Sequence, residues 1–443
     1  MNYIQHISFE VNELIIQFIN DDPEIYKDNI KSLMLVSQII GECTVSFLKY
    51  SVNHPFLVEN VPNLLVDCRY VHTKNLSLIN NYKHITHLNV SGCRLKTLEN
   101  LPNSLYKLDC SHNEITSLEH CPTTLHTLYC CDNKITSLEH CPTSLHTLYC
   151  SDNQIISLEH CPTTLHTLNC SWNKIMSLEH CPTTLHTLDC SWNKIISLEH
   201  CPTTLHTLNC CSNQITSLEH CSSKLHDLNC SSNEITSLEH CPTTLHTLDC
   251  RSNQIISLEH CSSKLHNLIC SHNPITSLKY CPNTLYTLDC ISNQITSLKH
   301  CPDTLHILKC DFNQIMLLEH CSSKLYILEC SHNEITSLLF CPKKLHILDC
   351  HRNNITSLEH CPTNLHTLDC GKNQIKSLEH CPRTLRILYC YYNNIESLVN
   401  LPLNLHALDC RFNLITSIDN FNLSKIKELD YKYQLNDVIL PDI

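Results

Sequence analysis

Residues 125–144 read Leu-His-Thr-Leu-Tyr-Cys-Cys-Asp-Asn-Lys-Ile-Thr-Ser-Leu-Glu-His-Cys-Pro-Thr-Ser, and residues 145–164 read Leu-His-Thr-Leu-Tyr-Cys-Ser-Asp-Asn-Gln-Ile-Ile-Ser-Leu-Glu-His-Cys-Pro-Thr-Thr. The second stretch restates the first with a period of 20. Asn recurs at every twentieth residue from Asn113 to Asn413, sixteen times without an insertion, and Cys93 fills the same slot one step earlier. A fixed period of this length means that each unit packs on its neighbours and cannot bury its apolar face alone.

Within one unit the apolar positions assign the local structure. Leu125, Leu128 and Cys130 point inward, while Thr127, Tyr129 and Cys131 face the other side, which is the alternation of a short strand. Successive strands stack in parallel, about 4.8 Å apart. Asn133 is expected to turn inward and satisfy backbone groups of the bend below the strand. An unpaired buried backbone group costs roughly 1–3 kcal/mol, which keeps that slot unchanged. Pro142 favours an extended return, and a 20-residue unit leaves little room for a helix, so the convex side is predicted to consist of extended segments or tight turns.

The spacing Leu125-x-x-Leu128-x-Cys130-x-x-Asn133-x-Ile135 is that of a leucine-rich repeat with Cys in the third leucine slot and Ile in the last. With Pro122-Thr-Thr ahead of it and Leu138 behind, the string resembles the 20-residue bacterial-type leucine-rich repeats of secreted effectors. Its Cys- and His-rich version resembles the leucine-rich repeat proteins of giant amoeba-infecting viruses, which would put it in the host cytoplasm. The resemblance covers about residues 80–420 and implies a leucine-rich repeat solenoid with parallel β-strands on its concave face. Some effectors of this type end in a catalytic ubiquitin-ligase domain, and no such domain is expected in the short stretch after the last repeat.

The chain of 443 residues divides into a helical N-terminal module at 1–60, a degenerate first turn at 61–80 hinted at by Leu65 and Cys68, a solenoid of about 17 repeats at 81–420, and a C-terminal cap at 421–443. In the cap, Ile426, Leu429 and Tyr431 reproduce the strand spacing after a one-residue slip.

Composition narrows the function. A net charge of −13 argues against a nucleic-acid binder that works by phosphate neutralisation. No run of about 18 apolar residues is present to span a membrane. Glu10 interrupts the first apolar stretch and no basic residue precedes it, so no secretory signal is expected. With only three glycines, Gly41, Gly92 and Gly371, there is no glycine-rich phosphate loop. No cofactor is expected.

Thirty-five cysteines suggest disulfides, but sixteen occupy the strand slot from Cys110 to Cys410 and fourteen the slot from Cys121 to Cys381. Both are core positions of the repeat, where a free Cys acts as a small hydrophobe. Reduced core thiols in a cytoplasmic setting are the expectation.

Residues 4–52 break the period. Glu13, Leu14, Ile15 and Phe18, followed by Leu35 and Val36 within Leu33-Met-Leu-Val-Ser37, resemble an F-box, which implies docking onto the adaptor of a cullin-type ubiquitin ligase. The Leu-Pro that precedes the Glu in that family is replaced by Val11 and Asn12. The alternative is a helical cap over the first repeat's apolar edge.

Core slots barely vary between repeats; variation gathers beside the strand cysteine. Tyr129, Tyr149 and Tyr389 stand before it, and Trp172, Trp192, Arg251, Phe312, Arg352, Lys372, Tyr391, Tyr392, Arg411 and Phe412 stand after it. Tyr, Trp and Arg dominate binding hot spots. These residues are therefore the candidate contacts for a partner protein, in two patches: Tyr129 to Trp192, and Arg352 to Phe412. Trp172 and Trp192 hold the same slot of adjacent repeats and should be neighbours. The alternative is drift at positions free of packing constraint.

Two His series run through the repeats. The His120, His140, His160 series lies beside Glu119, Glu139 and Glu159, and stacked imidazoles about 5 Å apart would repel on protonation. Tyr280, Phe340 and Asn400 interrupt it without a substitute ligand, so no metal site is expected. The His126, His146, His166 series should be solvated. No Ser, His or Asp constellation stands apart from the period, which points to a binding scaffold or a structural protein and not to an enzyme.

Overall fold

The computed structural model describes residues 64–67, 85–416 and 428–430. The chain forms two compact units, Met1–Lys174 and Ile175–Ile443.

In the first unit, β1 (Leu64–Asp67), β2 (Ile85–Asn89), β3 (Lys107–Asp109), β4 (Thr127–Tyr129), β5 (Thr147–Tyr149) and β6 (Thr167–Asn169) pair in chain order, all parallel. Leu88, Leu108, Leu128 and Leu148 stand in register. At the first pairing, Leu64 faces Ile85, then the register shifts and Val66, not Leu65, comes opposite Leu88.

In the second unit, β7 (Thr187–Asp189) through β18 (Ala407–Asp409) continue the three-residue strands, and β19 (Glu428–Asp430) pairs with β18. There Leu408 faces Leu429, so the last interval is one residue longer than the period. Two strands of this unit matter below: β15 (Ile347–Asp349) and β16 (Thr367–Asp369).

Most strands are short because only the central Leu is fully enclosed: Thr127, Leu128 and Tyr129 run half-buried, buried, half-buried. Leu125, Leu128, Cys130, Ile135 and Leu138 have no exposed surface, and the described repeats from Leu105 to Leu398 bury the same set. The strand-slot thiols reach sideways. Cys130 Sγ donates to Tyr149 O at 3.5 Å and Cys150 Sγ to Asn169 O at 3.4 Å. A small, weakly polar thiol fits where the next strand's carbonyl comes close. Cys110, Cys130, Cys150 and Cys250 are free thiols.

The Asn slot binds repeat to repeat. Asn133 Nδ2 donates to Cys130 O and Cys131 O in its own repeat and to Cys110 O in the one before, while Oδ1 accepts from Ile115 N at 3.0 Å. Asn253 does the same with Cys250, Arg251, Cys230 and Ile235. Only an amide side chain both donates and accepts in this way. Asp lacks the donor, and Gln is a methylene too long.

The far side of each repeat consists of two tight turns, closed by Cys121 N to Leu118 O and by Leu125 N to Pro122 O. The first places His120 at φ 67°, a left-handed conformation in which His, Asn and Asp are enriched. That backbone requirement accounts for the His120 series with Asn100 and Asn400 as substitutes. Among the described residues no helix is long and apolar enough to cross a membrane.

A correlated exchange appears on this side. In most Cys-Pro repeats, Pro342 with Lys344 and Pro362 with Asn364 excepted, a hydroxyl two residues after the Pro crosses to the previous repeat: Thr204 Oγ1 donates to Thr183 O and Leu185 O. Where Ser replaces Pro, Lys stands at the hydroxyl position, and Ser222 Oγ itself reaches the equivalent carbonyls, Thr203 O at 2.9 Å and Leu205 O at 3.0 Å. Ser262 and Ser322 repeat this with Lys264 and Lys324 behind them.

Candidate functional site

The strand face carries side chains that the core does not need. Their backbone is set by the repeat: the second residue after each strand cysteine is left-handed, whatever its side chain. Trp172 and Trp192 have φ 53°, Phe312 53°, Arg352 and Lys372 52°, Tyr392 49° and Phe412 55°. A non-glycine residue in this region costs roughly 1–2 kcal/mol, which Gly, and often Asn, avoids. Bulky aromatic and basic side chains nevertheless occupy it, and Trp172, Trp192, Phe312 and Tyr392 are each about half exposed.

In the first unit, the Tyr129 and Tyr149 rings stack at 4.8 Å with Lys107 Nζ 5.1 Å from the Tyr129 ring. Trp172 belongs to this unit and Trp192 to the second. In the second unit the structure gathers the C-terminal candidates. Tyr392 stacks on Phe412 at 4.1 Å, Tyr391 meets Tyr392 edge-on, and Lys372 Nζ lies 5.3 Å from the Tyr392 ring. Phe312 stacks on His332 at 3.9 Å, and His332 meets His351 edge-on at 5.1 Å. Tyr389 lies in the strand row, in register between Asp369 and Asp409.

Two candidate cations are committed within the chain. Arg251 grips Asp249 through Nε at 3.0 Å and Nη2 at 2.6 Å, and Arg411 grips Asp409 at 2.9 and 2.7 Å. Both are fork-to-carboxylate pairs, so these arginines shape the face more than they extend from it. The segment with Glu13, Leu14, Ile15, Phe18, Leu35 and Val36 lies outside the described residues.

The His series exchange the roles expected of them. His120, His140 and His160 each pair with their own neighbouring Glu at 3.8–3.9 Å. Stacking falls instead to the second series: His126 on His146 at 3.9 Å, and His146 on His166 at 5.3 Å. These side chains leave the chain beside the strand, where the parallel ladder sets their spacing. Burial, then the charges of His146 and His166, push the His126 pKa down.

One constellation does stand apart from the period, contrary to the sequence reading. Asp349 and Asp369 are register partners on β15 and β16, and His351 Nδ1 lies 2.7 Å from Asp349 Oδ1 and 4.0 Å from Asp369 Oδ2. Gly371 N donates to Asp369 Oδ1 at 2.9 Å. The Tyr391 ring covers Gly371 so closely that a Cβ there would collide with it. Burial, then the opposing Asp349 charge, raises Asp369 to about 6, while the hydrogen bond to Asp349 raises His351. Burial and the carboxylates Asp369, Asp349 and Asp409 push the Tyr391 phenol up to about 12. The signal was present in the chain: His351 is the single His two residues after a strand-face acid, and the next repeat has Asp369 followed by Gly371.

No protein-family model and no curated protein matches this chain. Solved structures do. YopM from Yersinia enterocolitica is 27% identical with a TM-score of 0.71, over 80% of this chain and 84% of that one. The functional domain of InlJ from Listeria monocytogenes, described as including a cysteine ladder, is 27% identical with a TM-score of 0.57, over 75% of each chain. The plant peptide hormone receptor RGFR1, solved with RGF2, shares the fold at 17% identity and a TM-score of 0.54, over 86% of this chain and 80% of that one. The chain is a leucine-rich repeat solenoid with 20-residue repeats, similar to these bacterial leucine-rich repeat proteins.

Proposed function

We propose that this chain is a protein-binding scaffold whose partner lies along the strand face, the concave face in the leucine-rich repeat architecture. One observation carries the reading. The core slots are nearly identical from repeat to repeat, while Phe312, Arg352, Lys372, Tyr392 and Phe412 stand in a left-handed slot that disfavours them. Core packing does not ask for those side chains, and stacked aromatics beside cations are the composition of binding hot spots. The Tyr129–Tyr149 stack offers a second contact patch in the first unit. Core thiols that stay reduced fit a cytoplasmic setting.

The test is affinity capture from reducing extract, with the full chain and with residues 1–52 removed. A partner held equally by both forms supports binding by the repeats. Loss of every partner on truncation overturns it. A ubiquitin-ligase adaptor held only by the full chain, beside a partner common to both, would add a docking role for the segment around Glu13.

A further inference from the structure

We propose that Asp349, His351 and Asp369 form a binding site for one divalent first-row transition-metal ion. The inference does not depend on the partner reading. It starts from charge. Like charges directly opposite on neighbouring strands are destabilising, and Glu329, Asp349 and Asp369 stand in consecutive register positions.

Elsewhere on this face three acids of the second unit are paired with a cation, while, among the described residues, Asp189 and Asp289 accept only the amide of the residue two after them and, for Asp189, the Ser191 hydroxyl. Asp249 has Arg251, Asp409 has Arg411, and Glu329 has Lys309 at 2.9 Å. Asp349 and Asp369 have no such arginine or lysine pair among the described ion pairs. The residue two after Asp349 is His351, and the residue two after Asp369 is Gly371. The position that supplies a fixed cation to Asp249 and Asp409 here supplies an imidazole, which ligates only when neutral, and a glycine covered by the Tyr391 ring.

The geometry suits an ion. One ligand atom from each of the three residues lies within 4.8 Å of the others. Metal–ligand bonds of about 2.0–2.2 Å set ligand atoms roughly 3–3.5 Å apart, so the 2.7 Å contact would open by a few tenths of an ångström and the 4.0 Å one would close. Hydrogen bonds already aim the carboxylates: Gly371 N holds Asp369 and His351 N holds Asp349. Such supporting contacts orient ligands. The three side chains are 20–30% exposed, which leaves an entry path and room for water in the remaining coordination positions. One imidazole with two carboxylates selects Mn²⁺, Fe²⁺ or Zn²⁺ over Ca²⁺ and Mg²⁺, which take oxygen ligands.

Mn²⁺ is the probe of choice because thiolates, abundant in this chain, bind it poorly. Full-length reduced protein would be titrated with Mn²⁺ and the free ion followed by its electron paramagnetic resonance signal, with the thermal midpoint measured in parallel. The expected result is one Mn²⁺ per chain and a raised midpoint, both lost in His351→Gln and Asp369→Asn and both kept in His126→Gln and Asp249→Asn. Asp369→Asn removes a like-charge contact and is expected to keep the metal-free thermal midpoint of the native chain, which separates loss of metal from unfolding. No binding by the native protein, or equal binding by the His351→Gln and Asp369→Asn variants, would overturn the proposal.

Discussion

Asn133 Oδ1 accepts the amide proton of Ile115 at 3.0 Å, so a side chain of one repeat completes the backbone of the repeat before it. The same contact recurs as Asn253 to Ile235 and Asn353 to Ile335. Repeat stability is a sum of unit and neighbour terms, and this amide belongs to the neighbour term. Asn253→Ala leaves a buried N–H and carbonyls without partners and is expected to cost about 2–3 kcal/mol, read from urea unfolding. A loss below about 0.5 kcal/mol, the level of ordinary surface substitutions, would contradict the role given to the Asn ladder.

Ser222 and Lys224 act together, because the hydroxyl that Thr204 supplies in the preceding repeat comes from Ser222 in this one. Ser222→Pro alone removes the donor to Thr203 O and Leu205 O and should cost about 1 kcal/mol. Adding Lys224→Thr restores the Pro-x-Thr arrangement and should recover most of that loss. The coupling is measured by a double-mutant cycle, and additive effects would show that the exchange is coincidental.

The thiols make the fold sensitive to alkali. Burial raises Cys141, Cys201 and Cys241 from 9.0 to about 12 and Cys301 to about 11, and it raises the strand-slot thiols as well. An unfolded thiol ionises first, so this stability is complete below pH about 9 and is lost as pH rises from there toward the folded values. Each thiol adds about 1.4 kcal/mol per pH unit to the loss. The urea midpoint should therefore hold steady up to pH about 8.5 and fall steeply above pH about 9; a midpoint unchanged at pH about 10.5 would refute the account.

Alkylation separates the same thiols in the folded state. Cys131 and Cys211, which follow the strand and are half-buried, should react well before Cys130 and Cys210, since burial withholds both access and thiolate. Mass-spectrometric mapping of an iodoacetamide time course checks the order. Equal rates within each pair would mean that the strand slot is not closed.

The period made most of the fold legible. Leu125, Leu128, Cys130, Asn133 and Ile135 occupy the positions their spacing implied, because a strand with one enclosed face and a buried amide leaves few arrangements. The register shift after Leu64, which brings Val66 opposite Leu88, was not legible, because a bulge leaves no mark in a spacing pattern. Two features depend on backbone geometry that the spacing does not encode. The left-handed backbone under His120 and Trp172 is a property of the turns, so the His120 series read as a ladder of interacting rings when it is a conformational preference. The Asp349, His351, Asp369 group joins residues 20 apart across two strands, and it stayed hidden while each acid was read within its own repeat.

The most direct test replaces the rim without disturbing the backbone beneath it. Asn tolerates the left-handed conformation, so Tyr392→Asn with Phe412→Asn keeps the turn and removes the stacked pair. The control is Glu359→Gln with His360→Asn on the far side of the repeat. Affinity for a captured partner would be measured for both variants and for the native chain. The account expects the rim variant to bind at least tenfold more weakly, about 1.4 kcal/mol, with the control unchanged. Equal binding by all three, or equal loss in rim and control, would contradict the claim that the strand face holds the partner.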